Sequence, residues 1–216
     1  MKKLACLFLS MGLAVGLTAA ASAETVLRFA TDSSEDYVST VQIYKFADEV
    51  KEKTDGRITV EVYAGGQLGE EKVCVEQVQM GALDITKSSM GALTSFNDDL
   101  NLLSLPYLFK SEDHLWAVMN TEIGQNLLDS MESKGLVGLC WLDAGSRCYY
   151  PTKPLNTVED SKNVKFRVMQ SSIYQDTVSA LGAIPISMSG SEVYSALQTV
   201  LVDGAENNIP RIIDMS

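Results

Sequence analysis

Residues 189–208, Ser-Gly-Ser-Glu-Val-Tyr-Ser-Ala-Leu-Gln-Thr-Val-Leu-Val-Asp-Gly-Ala-Glu-Asn-Asn, contain the pattern that decides the fold. Ser189 and Glu192 have the Ser-x-x-Glu spacing of a capping box, which marks the start of a helix. Apolar residues then recur at helical spacing and predict one buried helix face. These residues are Val193, Ala196, Leu197 and Val200.

The residues after this helix predict a strand with a polar end. Leu201 and Val202 begin the predicted buried strand, and Asp203-Gly204 breaks it. The polar cluster Glu206-Asn207-Asn208 follows at the carboxyl end of the strand, where ligands bind in open α/β sheets. The residues alone therefore predict a polar site on an α/β scaffold and leave its ligand open.

This stretch resembles the signature of substrate-binding proteins of tripartite ATP-independent periplasmic (TRAP) transporters, the DctP-like family. The resemblance rests on residues 192–199 and 202–208, and on Lys-Phe-Arg-Val-Met-Gln-Ser at 165–171 and Gly-Gln-Leu-Gly at 66–69. It covers nearly all of the chain after residue 24. It implies a two-lobed periplasmic binding protein fold of the α/β class, with mixed sheets and a hinge cleft.

The order of elements along the chain supports this architecture. Strand and helix patterns alternate throughout, which is typical of α/β lobes. We expect lobe I over residues 24–144 and lobe II over residues 145–216, with Pro151 and Pro154 marking the change. Gly135 to Leu142 is predicted to be a buried strand at the end of lobe I.

Two segments of the chain look like equivalent positions in the two lobes. Residues 79–84, Gln-Met-Gly-Ala-Leu-Asp, and residues 198–203, Gln-Thr-Val-Leu-Val-Asp, each predict a helix end, a turn and a strand start. Gly81 suits the left-handed conformation that closes a helix. Val200 stands at the corresponding place, where a β-branched residue is costly and where the family usually has glycine.

The first 23 residues predict a secretory signal peptide. Lys2 and Lys3 precede the apolar run 4–20, and Ala21-Ser22-Ala23 is a small-residue cleavage site. We expect export to the periplasm with cleavage near Ala23. The apolar run is short and contains glycine and threonine, which argues against a membrane anchor, and no later stretch is long and apolar enough to span a bilayer.

The charge balance of the chain is acidic. The net charge of the 216 residues is −11, and it becomes −13 without residues 1–23, which carry two lysines and no acid. This balance argues against nucleic acid as a partner, because phosphates require clusters of lysine and arginine. A pair of arginines in a small pocket can still bind a small anion.

The cysteines and the single histidine predict neither a metal site nor a catalytic one. Cys74, Cys140 and Cys148 follow the signal peptide, without Cys-x-x-Cys or Cys/His spacing. Cys140 is predicted to be a buried thiol, and a Cys140–Cys148 disulfide is left open for an exported protein. His114 has no evident catalytic partner, and the chain lacks Gly-x-Ser-x-Gly and Gly-x-Gly-x-x-Gly. We expect no enzyme activity, no cofactor and no metal.

Two arginines are the candidate ligand-binding residues. Arg167 lies between Phe166 and Val168 on a predicted strand, where burial without an anion is costly. Its planar guanidinium fits a carboxylate, although an internal ion pair with Asp or Glu explains its burial equally well. The resemblance implies that Arg167 holds the ligand carboxylate, that Arg147 assists it and that Asn207 contacts the ligand.

The resemblance also suggests the class of solute. Residues 67–71 and 143–147 look most like family members that bind sugar acids such as uronates, which makes Gln67, Glu70 and Ser89 candidate partners for ligand hydroxyls. Some uronate binders have a histidine where this chain has Ser34, so C4-dicarboxylates, other hydroxy acids and sialate remain alternatives. The implied partners are a small carboxylated solute and integral-membrane TRAP permease subunits, with the binding protein as a monomer.

Chains of this family run well past the Glu-Asn-Asn motif. Here the resemblance continues to Pro210, and the tail Arg-Ile-Ile-Asp-Met-Ser, residues 211–216, does not resemble the family. We therefore expect a chain truncated at its C-terminus, with part of lobe II missing and uncovered sheet edges. A non-functional fragment of a binding protein is the alternative.

Overall fold

The computed structural model describes residues 24–214 and shows alternating strands and helices. The predicted signal peptide lies outside the described residues. The strands are β1 (Thr25–Ala30), β2 (Ile58–Tyr63), β3 (Ile85–Thr86), β4 (Arg147–Pro151), β5 (Lys165–Val168), β6 (Ile184–Ser187) and β7 (Gly204–Asn208). The α-helices are α1 (Val38–Lys53), α2 (Glu71–Gln79), α3 (Met90–Leu93), α4 (Glu112–Met119), α5 (Glu122–Asp129), α6 (Ser172–Ala180), α7 (Val193–Gln198) and α8 (Ile209–Asp214). Short 3₁₀ helices cover Asp98–Ser104, Ser130–Lys134 and Glu159–Ser161.

The strands form two separate sheets. The first has the order β2-β1-β3 and is parallel throughout. The second has the order β4-β7-β5-β6, and it is mixed because β4 runs antiparallel to β7. The two-lobed α/β fold is therefore confirmed, with the mixed sheet in the second lobe. The lobe boundary after Ala144 stays a prediction, although β4 already belongs to the second sheet.

Each sheet has its own hydrophobic core, built from the apolar residues that alternate with polar ones along the chain. Beside the first sheet, Ala30, Cys74 and Leu83 are each 1% exposed. Beside the second sheet, Phe166 and Val168 pack with helix α6. No helix within residues 24–214 is both long and apolar enough to cross a membrane.

The ends of helices α2 and α7 have the same hydrogen-bond pattern. The N–H of Ala82 and the N–H of Leu201 each bond to the carbonyl five residues earlier, at 2.8 and 2.9 Å. Both bonds span a residue with left-handed backbone, Gly81 at φ 70° and Val200 at φ 58°. This geometry is the Schellman motif. The predicted equivalence of the two segments is confirmed by their backbones.

The same equivalence extends to the aspartate that follows each turn. The N–H of Arg28 in β1 donates to the carboxylate of Asp84 at 2.7 Å. The N–H of Lys165 in β5 donates to the carboxylate of Asp203 at 2.9 Å. Each aspartate thus fastens the strand that follows it to the neighbouring strand. The two lobes therefore share one helix–turn–strand unit.

The strand after α7 starts later than the sequence predicts. Leu201 is 55% exposed, and β7 begins at Gly204, so the polar cluster forms the strand itself. The left-handed Val200 ends the helix and turns its own side chain out to 70% exposure, which removes it from the predicted buried face. Gly204 is required where the strand enters the sheet, because a Cβ there would lie 2.7 Å from Phe166.

The predicted capping box before α7 is formed only on its glutamate side. The Glu192 carboxylate accepts the N–H and the hydroxyl of Ser189 at 2.9 and 2.7 Å. Glu192, and not Ser189, is the N-cap residue, and helix α7 begins at Val193. Residues 87–94 are rich in small and polar residues, a composition that predicts a loop, but α3 occupies Met90–Leu93 within them.

The predicted strand from Gly135 to Leu142 is absent, since residues 136–146 have no regular structure. Leu136 packs in the core, whereas Val137 and Leu139 are 71% and 67% exposed. The segment is as apolar as a buried strand, but neither sheet of the described chain pairs with it. Cys140 is exposed rather than buried, and the three cysteines within residues 24–214 are free, so Cys140 and Cys148 are not bonded.

Replacing Val200 with glycine is expected to stabilise the protein. A left-handed conformation costs an L-residue roughly 1–2 kcal/mol. Greater freedom of glycine in the unfolded chain offsets roughly 0.5–1 kcal/mol of that. The side chain is exposed, so little packing is lost. Urea denaturation of Val200→Gly should show a gain of about 0.5–1 kcal/mol.

Gly81→Val is the matched control, because it places valine at the equivalent turn of the first lobe. It should lower the free energy of unfolding by a similar amount. A Val200→Gly variant that is less stable than the wild type would contradict this account of the turn.

Candidate functional site

The candidate site lies at one edge of the second sheet. The carboxyl ends of β5 and β7 meet there, and β4 begins at the same edge because it runs the opposite way. Arg147 is paired with Asn208, and Arg167 with Ala205. Sheet topology therefore brings both predicted arginines next to the polar residues of β7, at the edge where α/β sheets bind ligands.

Glu206 is the carboxylate at the centre of this group. It is 3% exposed, and its Oε2 accepts a hydrogen bond from Nε of Arg147. Its Oε1 accepts the N–H of Met169 at 3.3 Å, and its backbone carbonyl accepts Nη2 of Arg147 at 3.2 Å. An internal ion pair of the kind considered for Arg167 is thus present for Arg147.

Arg147 is held from its other side by an aromatic ring. The centre of its guanidinium lies 5.2 Å from the centroid of the Tyr174 ring, a cation–π contact. Burial alone would lower the pKa of Arg147, but the charge and the hydrogen bond of Glu206, with smaller contributions from Tyr174 and Glu71, together outweigh burial and raise it. Arg147 is therefore a fixed, fully charged group.

Arg167 is less well compensated. It is 3% exposed, and its Nε and Nη2 donate to the backbone carbonyl of Met188 at 3.1 and 2.9 Å. The Glu206 carboxylate is 4.0 Å from its Nη1. Burial lowers the pKa of Arg167, and the attraction of Glu206 does not fully offset it. A further anion near this guanidinium would lower the free energy of the site.

Asn207 lies on β7, between the two strands that carry Arg147 and Arg167. It is 8% exposed, and its Oδ1 accepts the N–H of Asn208 at 3.0 Å. Within β7 it pairs with Cys148 of β4. The structure thus brings together Arg147, Arg167 and Asn207, which are the three residues that the family resemblance singles out.

The first lobe contributes a second polar group. Glu71 begins helix α2, and its carboxylate accepts the N–H of Ser89 at 2.9 Å and the Ser89 hydroxyl. Lys87 donates to the Ser33 hydroxyl at 2.9 Å and lies 4.0 Å from the Asp32 carboxylate. Asp32 and Ser33 follow the end of β1, Lys87 and Ser89 follow the end of β3, and Glu71 begins the helix after β2, so the carboxyl edge of the first sheet also carries polar side chains.

Burial raises the pKa of Glu71, and the nearby charge of Asp32 raises it further. The hydrogen bond from Ser89 and the charge of Lys87 act in the opposite direction but do not restore the ordinary value. Glu71 also acts electrostatically on Arg147 and Arg167 in the other lobe. The polar group of lobe I therefore contributes to the electrostatic potential at both arginines.

Glu70 stays a predicted ligand contact, and the structure adds its neighbour Glu71, which contacts Ser89. Glu70 is the N-cap residue of α2, and its side chain makes no capping hydrogen bond. Gln67 is exposed in the glycine-containing loop before it. The start of helix α2 was the sequence signal that could have shown this contact, because the position of a residue relative to the helix start determines whether its side chain turns toward Ser89.

The two lobes also touch beside this site. The Thr94 hydroxyl donates to the Ser171 hydroxyl at 2.9 Å, and both residues are buried. A Cβ at Gly91 would lie 2.7 Å from Sδ of Met169, so a glycine is needed for this close approach. Two open depressions lie elsewhere, one beside Leu102 and Leu127 and one beside Trp116 and Trp141, and neither contains the arginines.

Within residues 24–214, no group of three His, Cys, Asp or Glu side chains is placed to hold a metal ion. Two α/β lobes with Arg147 and Arg167 at the strand ends fit the class of two-lobed solute-binding proteins. The chain belongs to the bacterial extracellular solute-binding protein family 7 (DctP), whose sequence model matches residues 29–216. The match includes residues 211–216, so the expectation that the tail departs from the family is wrong.

Solved structures of similar proteins contain bound sugar acids. A TRAP periplasmic solute-binding protein from Xanthobacter autotrophicus Py2, with bound β-D-galacturonate, is 37% identical with a TM-score of 0.85. One from Pseudomonas putida F1, with bound D-glucuronate, is 36% identical with a TM-score of 0.85. These matches cover 88% of this chain and 63% and 62% of those chains.

A curated relative is named for a different ligand. The C4-dicarboxylate-binding periplasmic protein DctP of Rhodobacter capsulatus is 34% identical over 197 residues, which is 90% of this chain and 59% of the relative. The chain thus spans about three fifths of the length of the proteins it resembles.

The stability of the protein is expected to depend on pH through Glu71. Its pKa is raised in the folded state, so above pH 4.5, the ordinary value, the folded state binds more protons than the unfolded one. Stability should therefore fall as the pH rises from 4.5 through the folded pKa. Glu71→Gln removes this loss, so its free energy of unfolding should vary less over that interval.

Urea denaturation of the wild type and Glu71→Gln at several pH values measures the difference. Glu76→Gln, a substitution of an exposed glutamate on the same helix, is the control and should follow the wild type. Parallel pH profiles for the wild type and Glu71→Gln would refute the role assigned to Glu71.

Proposed function

We propose that the protein is a periplasmic solute-binding protein of a TRAP transporter. It captures a carboxylated solute, with a sugar acid such as a uronate as the first candidate, and delivers it to integral-membrane permease subunits. The observation that supports this proposal most directly is the environment of Arg167. Its buried guanidinium donates its hydrogen bonds to the neutral carbonyl of Met188, while the carboxylate of Glu206 is 4.0 Å away.

The charges of the arginine group support a carboxylate as the part of the solute that binds lobe II. Arg147 and Arg167 share a single carboxylate, Glu206, so one positive charge remains in excess on a buried surface. A guanidinium binds a planar carboxylate through two parallel hydrogen bonds, which gives both energy and orientation. Arg167 is the main binding group in this proposal, and Arg147 and Asn207 fix the solute beside it.

The polar group of lobe I supports hydroxyl groups on the rest of the solute. The Glu71 carboxylate and the Ser89 hydroxyl supply acceptors and a donor, as a polyol requires. Gln67 and Glu70 stay candidates at the outer rim. The bound galacturonate and glucuronate of the Xanthobacter and Pseudomonas proteins support the same class of solute.

A C4-dicarboxylate is the second candidate. Lys87 provides a further positive charge on lobe I, where it would face the distal end of a solute held by Arg167. The dicarboxylate-binding relative of Rhodobacter supports this candidate. The two candidates differ in the residue that binds the distal end of the solute. Glu71 would bind the hydroxyls of a sugar acid, and Lys87 would bind the second carboxylate of a dicarboxylate.

The two lobes indicate how a bound solute would change the conformation of the protein. A solute bound between them joins lobe II through its carboxylate and lobe I through its hydroxyls, so it stabilises their closed arrangement. No bond is made or broken in this action, and no enzyme activity is proposed. Export to the periplasm with cleavage near Ala23 places the protein where it meets its solute, and mass spectrometry of the secreted chain tests the cleavage.

Isothermal titration calorimetry tests the proposal with galacturonate, glucuronate, an aldonate, succinate and sialate. The wild type should bind at least one of these acids. Arg167→Ala should weaken that binding by ~2 kcal/mol or more, which is about 30-fold, because a buried charge partner is removed. Arg167→Lys should also bind poorly, because the bidentate geometry is lost.

Arg57→Ala is the matched control, because Arg57 is exposed and its Nε bonds only to a nearby backbone carbonyl. It should bind as the wild type does. Retained affinity in Arg167→Ala would refute the role of Arg167. A preference for succinate that Lys87→Gln abolishes and Glu71→Gln leaves intact would favour the dicarboxylate.

A further inference from the structure

The segment after β7 leaves the second lobe and contacts the first. Arg211 of α8 is tied to the end of β7, because its N–H donates to Oδ1 of Asn208 at 2.8 Å. Its Nη2 donates to the Asp32 carboxylate at 2.6 Å and to the Asp32 carbonyl at 3.3 Å. Asp32 lies two residues after the end of β1. One arginine thus joins the strand ends of both sheets.

Asp214 extends this contact from the other end of α8. Its carboxylate accepts Nη1 of Arg211 and the hydroxyl of Ser34, which lies in the loop after β1. The guanidinium of Arg211 also lies 5.8 Å from the centroid of the Tyr37 ring. We call Asp32, Ser34, Arg211 and Asp214 the interlobe tie.

The interlobe tie is shielded from water. The side chains of Arg211, Asp32 and Asp214 are 14%, 11% and 7% exposed. Gly190 lies against them, since a Cβ there would be 3.9 Å from Nη2 of Arg211 and 4.0 Å from Oδ2 of Asp32. Charges at this depth are screened less by salt than surface pairs, so salt should weaken the tie less than it weakens an exposed ion pair.

The tie does not include the arginines of lobe II, but it shares Asp32 with the polar group of lobe I. The charge of Asp32 raises the pKa of Glu71, and Lys87 lies 4.0 Å from Asp32. Arg211 therefore compensates a carboxylate that stands beside the polar group of lobe I. A shift of Arg211 would change both the lobe arrangement and the charge next to Glu71.

We propose that the interlobe tie sets the arrangement of the two lobes in the absence of a solute. Arg211 is a positioning residue, which holds the loop after β1 against the end of β7. The lobes then spend less time apart, and a smaller conformational cost remains when a solute binds. The effect on solute affinity rests on the proposed function. The effect of the tie on the lobe arrangement is independent of that function.

Small-angle X-ray scattering of the solute-free protein tests the proposal. The wild type should scatter with the radius of gyration calculated from the structure. Arg211→Gln and Asp32→Asn should each shift the radius upward. The double variant should shift it no further than either single variant, because both substitutions remove the same contact. Arg57→Gln, which changes an exposed arginine, should leave the radius unchanged.

Two outcomes would overturn the proposal. The first is a wild-type radius of gyration larger than the value calculated from the structure. The second is an Arg211→Gln variant that is folded and has the same radius of gyration as the wild type. Circular dichroism shows whether each variant is folded. If Arg211→Gln unfolds, Arg211→Lys takes its place, because lysine keeps the charge with a shorter reach. Its radius of gyration should rise by less than that expected for Arg211→Gln. The comparison of the wild-type radius with the structure tests the proposal in either case. Calorimetry with uronates is done separately, so a failure to bind them would count against the proposed function and leave the scattering result standing.

Discussion

The buried carboxylate of Glu206 is the group on which the second lobe and its site depend. It lies on β7, the strand that pairs with both β4 and β5, and it faces one arginine from each neighbour. A single carboxylate between two guanidiniums leaves a net positive charge in a region of low dielectric constant. In the proposed function, the arrangement that pairs Glu206 with an arginine of each neighbouring strand also attracts the carboxylate of the solute, so that folding and recognition share one electrostatic interaction.

Repetition of one local unit makes this arrangement possible. Gly81 and Val200 end equivalent helices, and Asp84 and Asp203 fasten equivalent strands, so both sheets present their carboxyl edges with similar geometry. The lobes differ in the side chains that they place at these edges. The first lobe has acids and hydroxyls there, and the second has arginines. A solute with a carboxylate at one end and hydroxyls elsewhere is complementary to that difference.

Much of this was predictable from local pattern. Helical and alternating periodicity located most elements, and the family motif located Arg147, Arg167 and Asn207. The failures concern information that a local pattern lacks. The segment from Gly135 to Leu142 is a short apolar run like that of a buried strand, but pairing requires a partner elsewhere in the chain. The contact of Glu71 with Ser89 depends on the phase of α2, and Arg211 meets Asp32 across 179 residues, so neither contact was visible in the local pattern.

The exposed cysteines have a practical consequence. Cys140 precedes the junction between the lobes and Cys148 follows it, on the edge strand of the second sheet, and both thiols are open to solvent. Cys74 is buried, and burial raises its pKa, which keeps it a poor nucleophile. Maleimide dyes would therefore label the native protein at two places that flank the junction. The chain contains its own attachment points for a fluorescent reporter of movement there.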